Sequence, residues 1–202
     1  MSSAKTLLKF ELLLKKYNSI YRDLSSLHNA KNLDNDVEHS YRVAMLCWML
    51  IDEYKFKLDA NKVIRYALVH DLPEVYAGDI SMYANYSQKS KEKKEAQSIK
   101  KLVKEFPKQK SLWKDLHEYE KKKDDESKFV YLIEKLEPIL AVLLSEKDHW
   151  VKRKVTWEDF LERKQRKIKN LDTIAQFLNQ DLMGYLKKNK KKFHKSKSKP
   201  NI

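Results

Sequence analysis

Two glycines, four prolines and one cysteine in 202 residues leave this chain short of the chemistry that most β architectures need. Sandwiches and barrels turn repeatedly on Gly and Pro, and a glycine-rich phosphate loop needs several glycines close together. Neither fits this composition, and the abundance of Lys, Glu, Leu and Ala favours helix. A lone cysteine excludes an intramolecular disulfide. Cys47 sits in the apolar run VAMLCWML and reads as a small core hydrophobe. No stretch reaches the roughly 18 apolar residues of a membrane span. The N-terminal MSSAKTLLKFELLLKKY mixes charge into its apolar residues, unlike the unbroken apolar centre of a secretory signal. These absences predict an all-α, cytoplasmic protein.

Charge is present in excess, and unevenly. The net charge is +14, yet residues 151–202 hold 16 Lys and Arg against 5 Asp and Glu, a net +11, which leaves +3 for residues 1–150. From Lys187 onward there are eight lysines and no acid. Such a composition self-repels and predicts a disordered tail. Tails of this kind bind nucleic acid by counterion release, but a lysine-rich solubilising end has the same composition, and the second reading is favoured. The expected organisation is one helical domain over residues 1–186, followed by a lysine-rich tail, 187–202.

Periodicity divides the rest into helices. Leu7, Leu8, Phe10, Leu13, Leu14, Tyr17 and Tyr21 recur at three- and four-residue steps and predict a first amphipathic helix. Asp36 is the expected N-cap of a second helix that contains VAMLCWMLI. A third runs from about Asn61 to His70 and stops before Pro73, because the residue preceding proline avoids the helical region. Further helices are expected at 88–105, 109–121, 126–145 and 157–186, the last opened by Thr156 with Glu158 and Asp159 in its first turn.

The ionisable residues are oddly placed on these helices. His39 falls in the first turn of the second, and His70-Asp71 ends the third, so three potential ligands lie where helix ends converge. Imidazole with carboxylate is a donor set suited to a divalent transition metal. The same residues also serve as helix caps or surface groups, and spacing alone does not decide. Two further features favour a metal. Glu74 and Asp79 follow in one short loop with Gly78, and Glu134 interrupts the apolar run FVYLIEKLEPILAVLL, where a carboxylate needs a partner.

The segments VEHSYRVA, ALVHDLPEVYAGDI and KFVYLIEKLEPIL, in that order and with WKDLHEYE at 113–120, resemble the HD-domain phosphohydrolases, and within them the small all-helical 5'-deoxynucleotidase-like branch. The resemblance covers residues 6–145. It implies a compact HD-domain helical bundle, a homodimer, and one divalent metal ion (Mn, Co, Zn, Mg or Fe) held by His39, His70, Asp71 and, in fourth place, Glu134. The family usually has aspartate in that fourth place, so Glu134 is a departure. It further implies that Glu74 orients the attacking water or manages its proton, and that Asp79 binds the nucleophile or a sugar hydroxyl. Glu38, beside His39, is the expected group that orients a ligand.

The implied reaction is release of phosphate from a deoxynucleoside monophosphate by water activated on the metal. The branch carries an Arg-Trp pair shortly before the first metal histidine, where this chain has DLSSLHNAKN. Arg22, Lys31 and Arg42 are the remaining candidates to contact phosphate. The alternatives are a deoxynucleoside triphosphate hydrolase, which a basic surface would favour, a non-catalytic metal- or nucleotide-binding HD module, and an RNA-associated protein acting through its tail.

Overall fold

The computed structural model describes residues 3–25, 33–79, 87–144, 149–168 and 173–195. The chain forms two compact units, residues 1–137 and 138–202. The all-α expectation holds, with one small exception. Helix α1 (Ser3–Tyr17) is followed by two short antiparallel strands, β1 (Tyr21–Ser25) and β2 (Leu33–Asn35), which pair Tyr21 with Asn35 and Ser25 with Leu33. Tyr21, expected to end the first helix, therefore lies in a strand. Asn18 and Ser19 bond back to Leu14 and Lys16 and close the helix first.

Helix α2 (Asp36–Tyr54) begins one residue differently from expectation. Its N-cap is Asn35, whose extended backbone lets Oδ1 accept from the Glu38 N–H at 3.0 Å. Asp36 is the first helical residue, and its side chain is buried. Helix α3 (Ala60–Val69) is capped by Asp59, which accepts from Lys62 N–H at 3.1 Å. His70 to Pro73 then form a turn into the one-turn helix α4 (Glu74–Ala77). Gly78 ends α4 at φ +76°, ψ 150°, a region that only glycine enters at low cost. Helices α5 (Gln88–Glu105) and α6 (Lys110–Lys121) match their expected spans closely.

The first unit closes around Leu13, Tyr17, Val69, Leu72, Val75, Leu102, Phe106, Trp113 and Leu116. Each such side chain contributes about 1.5–3 kcal/mol on burial. Trp113 also donates its indole N–H to the Phe106 carbonyl at 2.7 Å, so the ring's polar edge is satisfied inside the core. Helix α7 (Asp125–Leu144) crosses the division between the units at Pro138, whose missing N–H cannot bond the carbonyl of Glu134 one turn back.

In the second unit, helix α8 (His149–Lys152) precedes α9 (Trp157–Ile168) and α10 (Thr173–Lys188). The expected 157–186 helix thus occurs as two, with 169–172 outside the described residues. Thr156 opens α9 as expected: its Oγ1 accepts from Asp159 N–H while Asp159 Oδ2 accepts from Thr156 N–H, both at 3.1 Å. The first residues of the lysine-rich segment are described. Lys187 and Lys188 belong to α10, Lys190–Lys192 form a 3-10 turn, and Phe193 is buried against Trp150 with ring centroids 4.3 Å apart. His194 N–H donates to the Val155 carbonyl at 2.9 Å. Phe193 thus anchors the stretch that holds Lys187–Lys192, and 196–202, with Lys197 and Lys199, lie outside the described residues. No helix among the described residues is long and apolar enough to cross a membrane.

Candidate metal centre

Five elements of the first unit aim ionisable side chains at one region. Helix α2 supplies His39, the end of α3 supplies His70 and Asp71, and α7 supplies Glu134 with Glu137 one turn later on the same face. Strand β1 adds Arg22, and α4 adds Glu74.

Hydrogen bonds at the backs of the two imidazoles set their tautomers. His70 Nδ1 lies 2.7 Å from the Ala67 carbonyl, which can only accept, so Nδ1 carries the proton. His39 Nδ1 lies 2.6 Å from Glu137 Oε2 and donates to that carboxylate. Both rings therefore present an Nε2 lone pair forward. What faces them is more lone pairs. His70 Nε2 is 3.1 Å from Asp71 Oδ2 and 3.3 Å from Glu134 Oε2, and His39 Nε2 is 3.6 Å from Asp71 Oδ2. One ligand atom from each of His39, His70, Asp71 and Glu134 falls within 4.8 Å of all the others. His70 Nε2 is buried and has no hydrogen-bond partner. Arg22 donates to Asp71 Oδ2 from one side, but no donor reaches the orphaned His70 Nε2, and two imidazole nitrogens with two carboxylate oxygens are a donor set that fits a divalent metal.

The electrostatics agree. Burial disfavours a charged His70, yet Asp71 and Glu134 outweigh it and raise its pKa, the response expected where a proton stands in for a cation. His39 is shifted the other way, by burial and by Arg22, which favours the neutral form that ligates. Glu134 stays ionised against the cost of burial because Lys135, 2.9 Å from its Oε1, and His70 oppose that cost.

Beside this set, one oxygen each of Asp36, Asp71 and Glu74 lies within 4.8 Å of the others. Arg22 bridges two of them, with Nη1 3.1 Å from Asp71 Oδ2 and 3.4 Å from Asp36 Oδ1. Burial, then the charge of Asp71, pushes the Asp36 carboxyl up to about 7. The same two causes, in the same order, raise Glu74 well above the usual carboxylate range. Asp79, at the end of the turn, adds its charge to Arg22, Asp36 and Glu74.

Three of the sequence candidates fall elsewhere. Glu38 is exposed; its place behind His39 is taken by Glu137, because the inner side of the first α2 turn is occupied by Asp36, His39 and Ser40. Arg42 does not face the converging donors. Its Nε donates to Glu137 Oε1 at 2.6 Å and its Nη2 pairs with Asp34, so it braces the carboxylate that braces His39. Lys31 lies outside the described residues. The sequence reading missed Glu137, although an acid three residues after Glu134 in an apolar run was a usable signal, and it placed Asp36 in a cap.

The comparisons with known proteins point the same way. A model of the HD domain matches residues 14–175. The 5'-deoxynucleotidases HDDC2 of Bos taurus and Homo sapiens are 31% and 29% identical over 139 residues, 68% of this chain and 66% and 67% of their own lengths. The chain thus spans about two thirds of these relatives. Among solved structures, a protein titled as a predicted metal-dependent phosphohydrolase from Magnetospirillum magnetotacticum MS-1 superposes with a TM-score of 0.71 at 22% identity, over 96% of this chain and 97% of the other, a likeness of fold. The family model covers most of the chain, and its residues include both histidines and both carboxylates of the cluster, so this chain belongs to the HD-domain family.

Proposed function

We propose that this protein is a metal-dependent phosphohydrolase that releases phosphate from deoxynucleoside 5'-monophosphates, using one divalent cation held by His39, His70, Asp71 and Glu134. The observation that carries the reading is the meeting of two Nε2 lone pairs with two carboxylate oxygens at one buried point. A bound divalent cation supplies a Lewis acid that lowers the pKa of water and polarises a phosphoryl oxygen. The rest belongs to the protein. Glu137, fixed by Arg42, keeps the His39 ring in register. Glu74, with a carboxyl of raised proton affinity next to Asp71, orients the attacking water and takes its proton. Arg22 turns from Asp36 and Asp71 to the substrate phosphate, a dianion matched to a guanidinium. Asp79 binds a sugar hydroxyl at the end of the turn.

The relatives' name supports the monophosphate substrate. Phosphate release from a panel of deoxynucleoside and nucleoside mono-, di- and triphosphates with Mn, Co, Mg or Zn tests it. Release of phosphate from dNMPs is the expected result, while release of intact triphosphate from dNTPs would replace it with the triphosphohydrolase reading. The proposed setting is the cytoplasm, and the proposed assembly a homodimer. The outward face of α2, with Tyr41, Met45, Trp48 and Met49 all exposed, supplies an apolar surface for a second copy. Light scattering on Trp48→Glu checks this, with a monomer expected.

A further inference from the structure

The turn that carries Glu74 is held from behind by one stripe of α5. Lys91, Glu95 and Ser98 follow at steps of four and three residues and so share a helix face. Ser98 Oγ is buried and donates to the Pro73 carbonyl, which fixes the backbone just before Glu74. Lys91 Nζ donates to Glu74 Oε1 at 3.3 Å, and Glu95 Oε1 holds the same ammonium from its other side at 3.4 Å. A helix with little apolar surface thus spends three residues on two positions of a turn.

The two oxygens of Glu74 consequently differ. Oε1 is engaged by the ammonium, whereas Oε2 is buried without a hydrogen-bond partner. Exchanging them by rotation of the carboxylate would break the Lys91 contact. A carboxylate fixed through one oxygen delivers the other in a defined direction, and small errors in that direction are expensive for a group that must meet a water.

Building on the phosphohydrolase reading above, we propose that Lys91 is the positioning residue for Glu74: through Oε1 it aims Oε2 at the attacking water, and Glu95 keeps its ammonium in place. The rival role for a lysine beside such a site is direct contact with the substrate phosphate, and the two roles separate kinetically. Removing a positioner lowers kcat and leaves KM, whereas removing a phosphate contact that acts equally in ground and transition states raises KM and leaves kcat.

The experiment uses the full chain loaded with Mn, steady-state kinetics on a dNMP, metal content by elemental analysis, and five variants: Lys91→Met, Lys91→Arg, Glu74→Gln, Lys91→Met with Glu74→Gln, and Glu95→Gln. Expected for Lys91→Met are unchanged metal content, KM within about twofold, and a fall in kcat of about 10- to 100-fold. Lys91→Arg recovers most of that fall. The double variant is no slower than Glu74→Gln alone, because a positioner has nothing left to position. Glu95→Gln, which loosens Lys91 without removing it, gives a smaller fall and keeps the inference testable should Lys91→Met fold poorly. A raised KM at constant kcat, multiplicative losses in the double variant, or loss of metal from Lys91→Met would overturn the inference while leaving the phosphohydrolase reading intact. A wild-type chain with no turnover on any nucleotide overturns that reading, and this one with it.

Discussion

At the scale of single residues, the donor set makes ligand and catalyst separable. His70→Ala or Asp71→Ala removes an atom from the converging set, so metal and activity are expected to disappear together. Glu74→Gln keeps the metal and loses turnover; elemental analysis beside a kinetic assay distinguishes the cases, and a metal-free Glu74→Gln protein would make Glu74 a ligand. Glu137→Gln leaves His39 in place but weakens the bond that sets its tautomer, and a tenfold to hundredfold loss of metal affinity is expected by titration. Glu134 divides its oxygens between His70 and Lys135, so Glu134→Gln should lower affinity sharply. Glu134→Asp is the milder change, since it keeps the charge with a shorter reach. His39, His70, Asp71, Glu74 and Glu134 were candidates in the sequence through the resemblance of the segments that carry them, since imidazole and carboxylate near helix ends do not decide by spacing alone. Glu137 and Asp36 were missed: Glu137 despite its place three residues after Glu134 in an apolar run, Asp36 because it is a good cap by type, and their partners, His39 and Arg22, lie 98 and 14 residues away. Glu38 was misread because adjacency in sequence is not adjacency on a helix, where neighbours point about 100° apart.

At the scale of elements, apolar periodicity gave most helices to within a residue or two, but it says nothing of which polar residue closes an end. Asn35 and Asp36 are both good caps by type. The extended backbone of Asn35 decides between them, and it follows from the pairing of β2 with β1, two strands with no hairpin signature in the sequence. The cap also stands next to the metal centre, since the α2 turn that it starts contains His39. Asn35→Ala is expected to cost about 1 kcal/mol in chemical denaturation, whereas Asp36→Asn leaves the capping bond intact. A loss confined to Asp36→Asn would return the cap to the position that composition suggested.

At the scale of the whole molecule, composition alone does not say how the first part of the lysine-rich end, up to Lys195, meets the chain before it. Charge density from Lys187 onward suggested chain that no core could hold, but one aromatic, Phe193, is enough to seat it against Trp150 in the second unit. Phe193→Ala is therefore expected to destabilise that unit by about 3–5 kcal/mol, read as a lowered melting transition, with metal affinity in the first unit unchanged. The first unit holds the larger thermodynamic consequence. Arg22 satisfies only part of its converging lone pairs, and the cation proposed to bind between them would bind the folded state and not the unfolded chain, which cannot gather the ligands. Stability then becomes a function of free metal concentration, rising by about 2.7 kcal/mol at a hundredfold excess over Kd. A melting curve recorded against buffered metal would read the affinity of the centre with no substrate present. A transition temperature indifferent to chelator would mean that a proton, shared between His70 and its two carboxylates, already fills the gap.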